Sequence, residues 1–181
     1  MNKKIRWITE TAVMLALLVT LQALTKPMGQ LVTGSFVNAV LAVSVLVGGW
    51  YCGIVVAVVS PVLAYLLAIA PQILTVPAIM AGNAVFVTLL HFIAGNDSKK
   101  LLRQVLAWLG AAAAKFCVLY AAVNWLICGV LAEGLLASGM LKAPMLNALP
   151  ATFSWPQLFT ALIGGGVALL MVPVLRKALH K

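Results

Sequence analysis

One lysine lies deep inside an apolar stretch of this sequence and is its clearest candidate for a functional group. Lys115 falls about 12 residues into the fifth long apolar segment, which is roughly 18 Å at the rise of an α-helix and near the midplane of a bilayer. A charge at that depth is costly, so an ionisable residue there marks a functional site by default. Lys115 either contacts an anionic or carbonyl-bearing ligand, or it is a structural cation bonded to helix-end carbonyls or a polar neighbour.

Three further polar side chains could share a site with this lysine. Asn83 lies beside Gly82 in the fourth apolar segment, where a glycine lets another backbone approach closely. Tyr120 and Asn124 are four residues apart and share a helix face. Lys115 and Asn124 are nine apart, near opposite faces of a straight helix. The spacing therefore places Tyr120 and Asn124 nearer a mouth and Lys115 in a second layer; either asparagine could instead bond between helices.

The acidic residues and cysteines exclude several kinds of chemistry. The three acids, Glu10, Asp97 and Glu133, all lie away from the centres of the apolar segments. The sequence has no HExxH motif and no paired acids, which argues against a proton-driven carrier and against an intramembrane hydrolase. Three cysteines without metal-ligand spacing are predicted to be small buried hydrophobes (Cys52, Cys117 and Cys128). We expect no enzyme, no metal and no cofactor.

The composition requires lipid around these residues. Hydrophobic residues make up 64% of the 181 residues and charged residues only 8%, against about a quarter in soluble domains, and the mean hydropathy is +1.13. The excess apolar surface must face lipid. The net charge of +9 does not indicate a nucleic-acid partner, because the basic residues flank apolar segments instead of clustering on a polar face.

The apolar segments are read as six spans of about 20 residues, of which the second is short, near the lower limit for crossing. The continuous apolar run 36–70 is too long for one helix and is divided at Gly48 and Gly49. The loop 132–154 is too apolar for a solvated linker and is expected to pack on the bundle. The sequence thus predicts an all-α membrane protein, one domain over residues 1–181. Its six transmembrane helices are placed near residues 5–25, 36–49, 51–70, 76–94, 101–131 and 155–175.

The distribution of lysine and arginine predicts the orientation. Nine of the twelve basic residues fall on one side of a six-span arrangement, in the segments 3–6, 99–103 and 176–181, and only Lys26 and Lys142 fall on the other. The positive-inside rule then places both termini in the cytoplasm. Individually, the polar residues at the outer ends are typical of solvated helix ends. Together they suggest a pocket that opens outward (Gln22, Asn38, Gln72, Glu133 and Gln157).

Small residues and the overall layout carry a resemblance to a known family. Ala12 and Ala16 in TAVMLALLV are four apart, a spacing that permits close helix contact. Together with the segments VPAIMAGNAVFV and AAAAKFCVLY, and with the six spans, this chain resembles the substrate-binding S components of energy-coupling factor (ECF) transporters along nearly its whole length. The likeness is one of pattern and layout.

The resemblance implies a mechanism and a site. Such a protein captures a small micronutrient, such as a vitamin, at the outer face of a bacterial plasma membrane. It then docks through its alanine motif, here Ala12 and Ala16, on a transmembrane coupling subunit that carries two cytoplasmic ATPases. The site residues implied for this chain are Asn83, Lys115, Tyr120, Asn124, Trp155 and Gln157.

Two other functions stay open at this stage. The chain could be a small self-sufficient carrier or channel, or a membrane scaffold that transports nothing. The 181 residues contain no GxxxxGK[ST] phosphate-binding loop, so an ATP-driven importer would need its ATPases on other chains.

Overall fold

A computed structural model describes residues 3–69, 72–94 and 101–179 of the chain, and in these ranges it contains helices and turns but no strand. The helix Leu101–Tyr120 continues without a break into a π-helix, Ala121–Val130. The α-helices are α1 (Lys3–Thr25), α2 (Gln30–Gly48), α3 (Trp50–Leu66), α4 (Val76–Ala94), α5 (Leu101–Tyr120), α6 (Ala132–Ala137), α7 (Met145–Thr152) and α8 (Trp155–Ala178).

Within the described ranges, five helical stretches are long and apolar enough to cross a membrane. They contain α1, α2, α4, α5 with its π-helical continuation, and α7 with α8. Helix α3 is apolar but has only 17 residues, the lower limit of a spanning helix. The chain is therefore a helical protein built for a membrane.

Tight turns set the topology. A single residue, Gly49, connects α2 to α3, and its φ of 86° lies in the left-handed region that favours glycine. Gly29, with a φ of 90°, similarly precedes α2 after a short 3₁₀ turn. Such short connections force neighbouring helices to run antiparallel. As a result α1, α3 and α5 finish at the end of the bundle where α2, α4 and α8 begin. We call this the distal end, and the opposite end, which holds residues 3 and 178, the basal end.

Helix α2 begins six residues earlier than predicted, at Gln30 instead of residue 36. The polar stretch before residue 36 reads as a loop, but its hydroxyl groups bond to carbonyls and so tolerate a helix. The hydroxyl of Thr33 donates to the carbonyl of Thr25 at 2.8 Å, and that of Ser35 donates to the carbonyl of Leu31 at 2.6 Å. The earlier start puts Asn38 two turns inside the helix instead of at its end.

The other predicted bounds differ less. The fourth coincides with α4, while α3 ends at Leu66 instead of residue 70. The segment 132–154 packs against the bundle as predicted. It contains the helices α6 and α7, and it buries Leu141, which follows α6, and Leu149, in α7. The segment is apolar because some of its side chains are buried against the bundle.

The closest helix contact described joins α2 and α8, which run parallel. A Cβ added at Gly164 would lie 2.7 Å from the amide nitrogen of Ala39, and one at Gly34 would lie 2.7 Å from a methyl carbon of Thr160. Only glycine permits this approach of the two backbones. It brings the start of α8 against Asn38, whose Cβ would lie 2.7 Å from a Cβ at Gly164.

The apolar core occupies the middle of the bundle below this contact. Its largest fully buried side chains include Phe86, Leu18 and Leu41, and small residues such as Ala111 and Ala161 let the helices pack closely around them. The polar cluster described next lies directly on the distal side of Phe86. The core therefore closes off the basal side of that cluster.

Candidate binding cavity

Three buried polar side chains from three helices meet at the centre of the bundle. The ammonium of Lys115, on α5, donates to Oδ1 of Asn38, on α2, at 2.6 Å and to Oδ1 of Asn83, on α4, at 2.7 Å. The three side chains are 1–3% exposed. The earlier start of α2 is what gives Asn38 the depth to reach the lysine.

The hydrogen bonds of the two amides fix their orientation. Nδ2 of Asn38 donates to the carbonyl of Gly34 at 2.8 Å and to the hydroxyl of Thr160 at 3.3 Å. Nδ2 of Asn83 donates to the carbonyl of Ala57 at 3.4 Å. Because the NH₂ groups face acceptors, both Oδ1 atoms must face the lysine. The cluster thus binds α2, α3, α4, α5 and α8 together.

An aromatic ring supports the lysine from the basal side. The ammonium of Lys115 lies 5.5 Å from the ring centroid of Phe86, within the range of a cation–π contact. Phe86 is fully buried, so no water approaches from that direction. The free side of the ammonium faces the distal end.

A cavity of about 390 Å³ extends from this cluster to the distal surface. Lys115, Asn38 and Asn83 form its floor, and the exposed residues Lys26 and Gln30 lie at its mouth. This volume falls within the range of small-molecule sites, about 300–1,000 Å³.

Side-chain amides dominate the polar lining. Amides can donate and accept at the same time, so such a wall suits ligands that carry both kinds of group. No acidic side chain lines the cavity among the residues that the structure describes. The six amide-bearing residues of the lining are Gln22, Gln30, Asn38, Gln72, Asn83 and Gln157.

Helix α7 and the start of α8 form one wall and a cover. Thr152 and Phe153 line the cavity, and Nε2 of Gln157 donates to the carbonyl of Thr152 at 3.3 Å. Leu149 anchors α7 by packing into a second apolar cluster with Leu119. Helix α7 and the start of α8 thus hold the distal side of the cavity in place.

The structure brings three of the six predicted site residues together and leaves three outside. Asn83, Lys115 and Gln157 line the cavity, and Lys115 lies in its floor instead of a second layer. Tyr120 and Trp155 do not line it: they are 48% and 63% exposed on the outside of the bundle.

Tyr120 and Trp155 lie outside the cavity because their positions around their helices point them away from it. The ring of Phe116 lies between those of Tyr120 and Trp155, at 5.8 Å and 5.6 Å between centroids, in an outward-facing aromatic row. Asn124 also lies outside the cavity lining, within the π-helix. Its Nδ2 is shielded and has no hydrogen-bond partner among the described residues.

Sequence reasoning missed Asn38 as a floor residue and treated Gln22 and Gln72 as ordinary helix ends. The available signal was their combined polarity at one end of the bundle, which correctly indicated a pocket there. Oε1 of Gln72 is shielded from solvent and finds no hydrogen-bond partner within the described part of the chain.

The predicted docking residues lie away from the cavity. Ala12 and Ala16 are exposed on α1, the most peripheral of the long helices. Of the cysteines, Cys52 is buried as expected, whereas Cys117 is exposed, contrary to the prediction. The described residues contain no group of three or more metal-binding side chains.

Comparisons of the chain with protein-family models, with curated proteins and with solved structures gave no match. The proposed function therefore rests on the cavity.

Proposed function

We propose that this chain is the substrate-binding S component of an ECF-type importer, which captures a small water-soluble micronutrient from outside the cell. The observation that carries the proposal is the cavity of about 390 Å³, with a polar floor of Lys115, Asn38 and Asn83, closed below by Phe86. A site open at one end and sealed at the other holds a solute and does not conduct it.

The charge pattern supports capture from outside. Arg6, Arg103, Arg176 and Lys177 lie at the basal end of the bundle, away from the cavity mouth. By the positive-inside rule the basal end is cytoplasmic, and the cavity then opens to the exterior. Delivery inward requires a large movement of this protein, which a partner must drive.

The outer face of α1 supports docking on such a partner. Ala12 and Ala16 belong to a longer stripe of small exposed residues at helical spacing. The absence of large side chains along this stripe lets another helix approach closely. Its five members are Thr9, Ala12, Ala16, Thr20 and Ala23. The partner in this proposal is a transmembrane coupling subunit that carries two cytoplasmic ATPases.

Ala12→Trp tests the proposal because it separates docking from binding. A bulky ring in the stripe should abolish ATP-dependent uptake by the chain co-reconstituted with the coupling subunit and ATPases of its host, since the helices can no longer meet. The small molecule that co-purifies with the chain, measured by mass spectrometry, should be retained. Val13→Trp is the matched control, because Val13 is exposed but lies beside the stripe, and it should retain both.

Two outcomes would contradict the proposal. Uptake that is unchanged in Ala12→Trp would remove α1 as the docking helix. Accumulation of solute by the chain alone, in vesicles without ATP or partner, would establish the alternative of a self-sufficient carrier.

A further inference from the structure

We propose that the cavity takes a small carboxylate anion, whose carboxylate group binds against the ammonium of Lys115. This inference rests on the proposed function, because it names the chemical class of the solute that the cavity captures. Four features of the described residues carry it: the contacts of the lysine, its missing counter-charge, a second cation at the mouth, and the acceptor left free on the wall.

The contacts of Lys115 are those of a cation. Its two bonds, 2.6 Å and 2.7 Å, join it to amide oxygens and are as short as charge-assisted hydrogen bonds. The ring of Phe86 presents its negative face at 5.5 Å. An ammonium has three donors, and the amides of Asn38 and Asn83 take two. The third is left for the cavity, into which the ammonium opens.

The charge of this ammonium has no partner among the described residues. Of the three acids in the sequence, Glu10 pairs with Arg6 at 2.9 Å near the basal end, and Glu133 does not line the cavity. Asp97 lies outside the described residues. An unpaired buried ion carries a large desolvation penalty, and hydrogen bonds to the ion recover part of it. Two amides therefore offset part of the cost but supply no net negative charge.

The surroundings increase the preference for an anion. Lys26 adds a second cation at the mouth, where its ammonium donates to the carbonyl of Ala68 at 2.8 Å. A single lysine at the floor matches one negative charge, which favours a monocarboxylate over a phosphate dianion.

The wall of the cavity adds a second requirement for the chemistry of the solute. Oε1 of Gln72 is shielded and without a partner in the described part of the chain, and Gln72 lines the cavity. An N–H or O–H of the solute would satisfy it. The inferred class is therefore a small monocarboxylate that carries at least one hydrogen-bond donor.

Binding by the purified chain tests the inference without any coupling partner. The probes are two matched pairs in which each carboxylate also carries a hydrogen-bond donor, 4-aminobenzoate with 4-aminobenzamide and pantothenate with pantothenol, with inorganic phosphate as a third arm. Calorimetry on the detergent-solubilised chain, stripped of co-purified compounds, should show binding of a carboxylate. Its uncharged counterpart should bind about tenfold to a hundredfold more weakly, because it lacks the charged hydrogen bond. Lys115→Met should abolish that difference, and Lys142→Met, at an exposed lysine outside the lining, should retain it.

Asn83→Asp supplies the missing negative charge from the protein itself. The variant places a carboxylate where an amide oxygen now lies 2.7 Å from the lysine, and it keeps the shape of the side chain. It should abolish binding of the carboxylate probes, because the lysine is then paired inside the protein.

Equal binding within each pair, no binding of either carboxylate, tighter binding of phosphate, or retained binding of the carboxylates by Asn83→Asp would each overturn the inference. None of these outcomes would bear on docking through α1. Conversely, an uptake experiment that contradicts the ECF proposal would not contradict the charge selectivity of the cavity.

Discussion

A side-chain amide offers one acceptor oxygen and one NH₂ donor group, and Asn38 uses both ends. Its oxygen accepts from Lys115, and its nitrogen donates to Gly34 and Thr160. No apolar residue of similar size can replace these contacts. Asn38 therefore determines both the position of the buried cation and the contact of α2 with α8.

Asn38→Leu should lower the free energy of unfolding by at least about 2 kcal/mol, because it removes one hydrogen bond to a charged group and leaves the lysine with one amide. Reversible unfolding in mixed micelles of increasing denaturing detergent would measure the change. The control is Asn147→Leu, at an exposed asparagine of α7 outside the cavity, which should stay within about 0.5 kcal/mol of the parent. Equal effects of the two substitutions would mean that Asn38 does not support the lysine.

The sequence predicted two of the three residues of this cluster as site residues and missed the third for a physical reason. Lys115 and Asn83 interrupt apolar runs, so their depth is readable from composition. Asn38 follows the polar stretch 30–35. Such a stretch is read as a loop unless the hydrogen bonds that its hydroxyl groups donate to carbonyls are known. Tyr120 and Trp155 show the opposite problem, because sequence gives the depth of an aromatic residue but not the side of the bundle that it faces.

Helix α7 shows how a short element outside the bundle can complete a cavity. It contributes Leu149 and Thr152 to the lining, and the adjoining Phe153 is buried. The composition of segment 132–154 predicted that it would pack on the bundle. It could not predict helices there, since α7 owes its position to the apolar cluster that it joins with α4 and α5.

Thr152→Trp should abolish binding by filling the cavity from its covering wall. The amount of small molecule that co-purifies with the chain should fall at least about tenfold, while the melting temperature changes little, because the ring enters existing space. Ala151→Trp is the matched control: Ala151 is the preceding residue of α7 but is exposed and does not line the cavity. If both variants retain the molecule, it binds elsewhere.

At the scale of the whole molecule, alternating helix direction separates two ends with different roles. The distal end has the cavity, the amides and the N-termini of α2, α4 and α8, while the basal end has most of the arginine and lysine that the structure describes. Sequence alone predicted this separation well, because charge and hydropathy follow chain order when connections are short. The side of the membrane that each end faces decides whether the cavity captures or releases a solute.

Single cysteines should show which end faces the outside. In a variant with Cys52, Cys117 and Cys128 replaced, Lys142→Cys at the distal end should react with a membrane-impermeant maleimide in intact cells, and Lys177→Cys at the basal end should react only after lysis. The expectation follows from the positive-inside rule, since the basal end carries most of the basic residues in the described ranges. The reverse labelling pattern would place the cavity mouth in the cytoplasm. A protein oriented that way could not capture a solute from outside, so the importer proposal would fail even if the carboxylate preference of the cavity were intact.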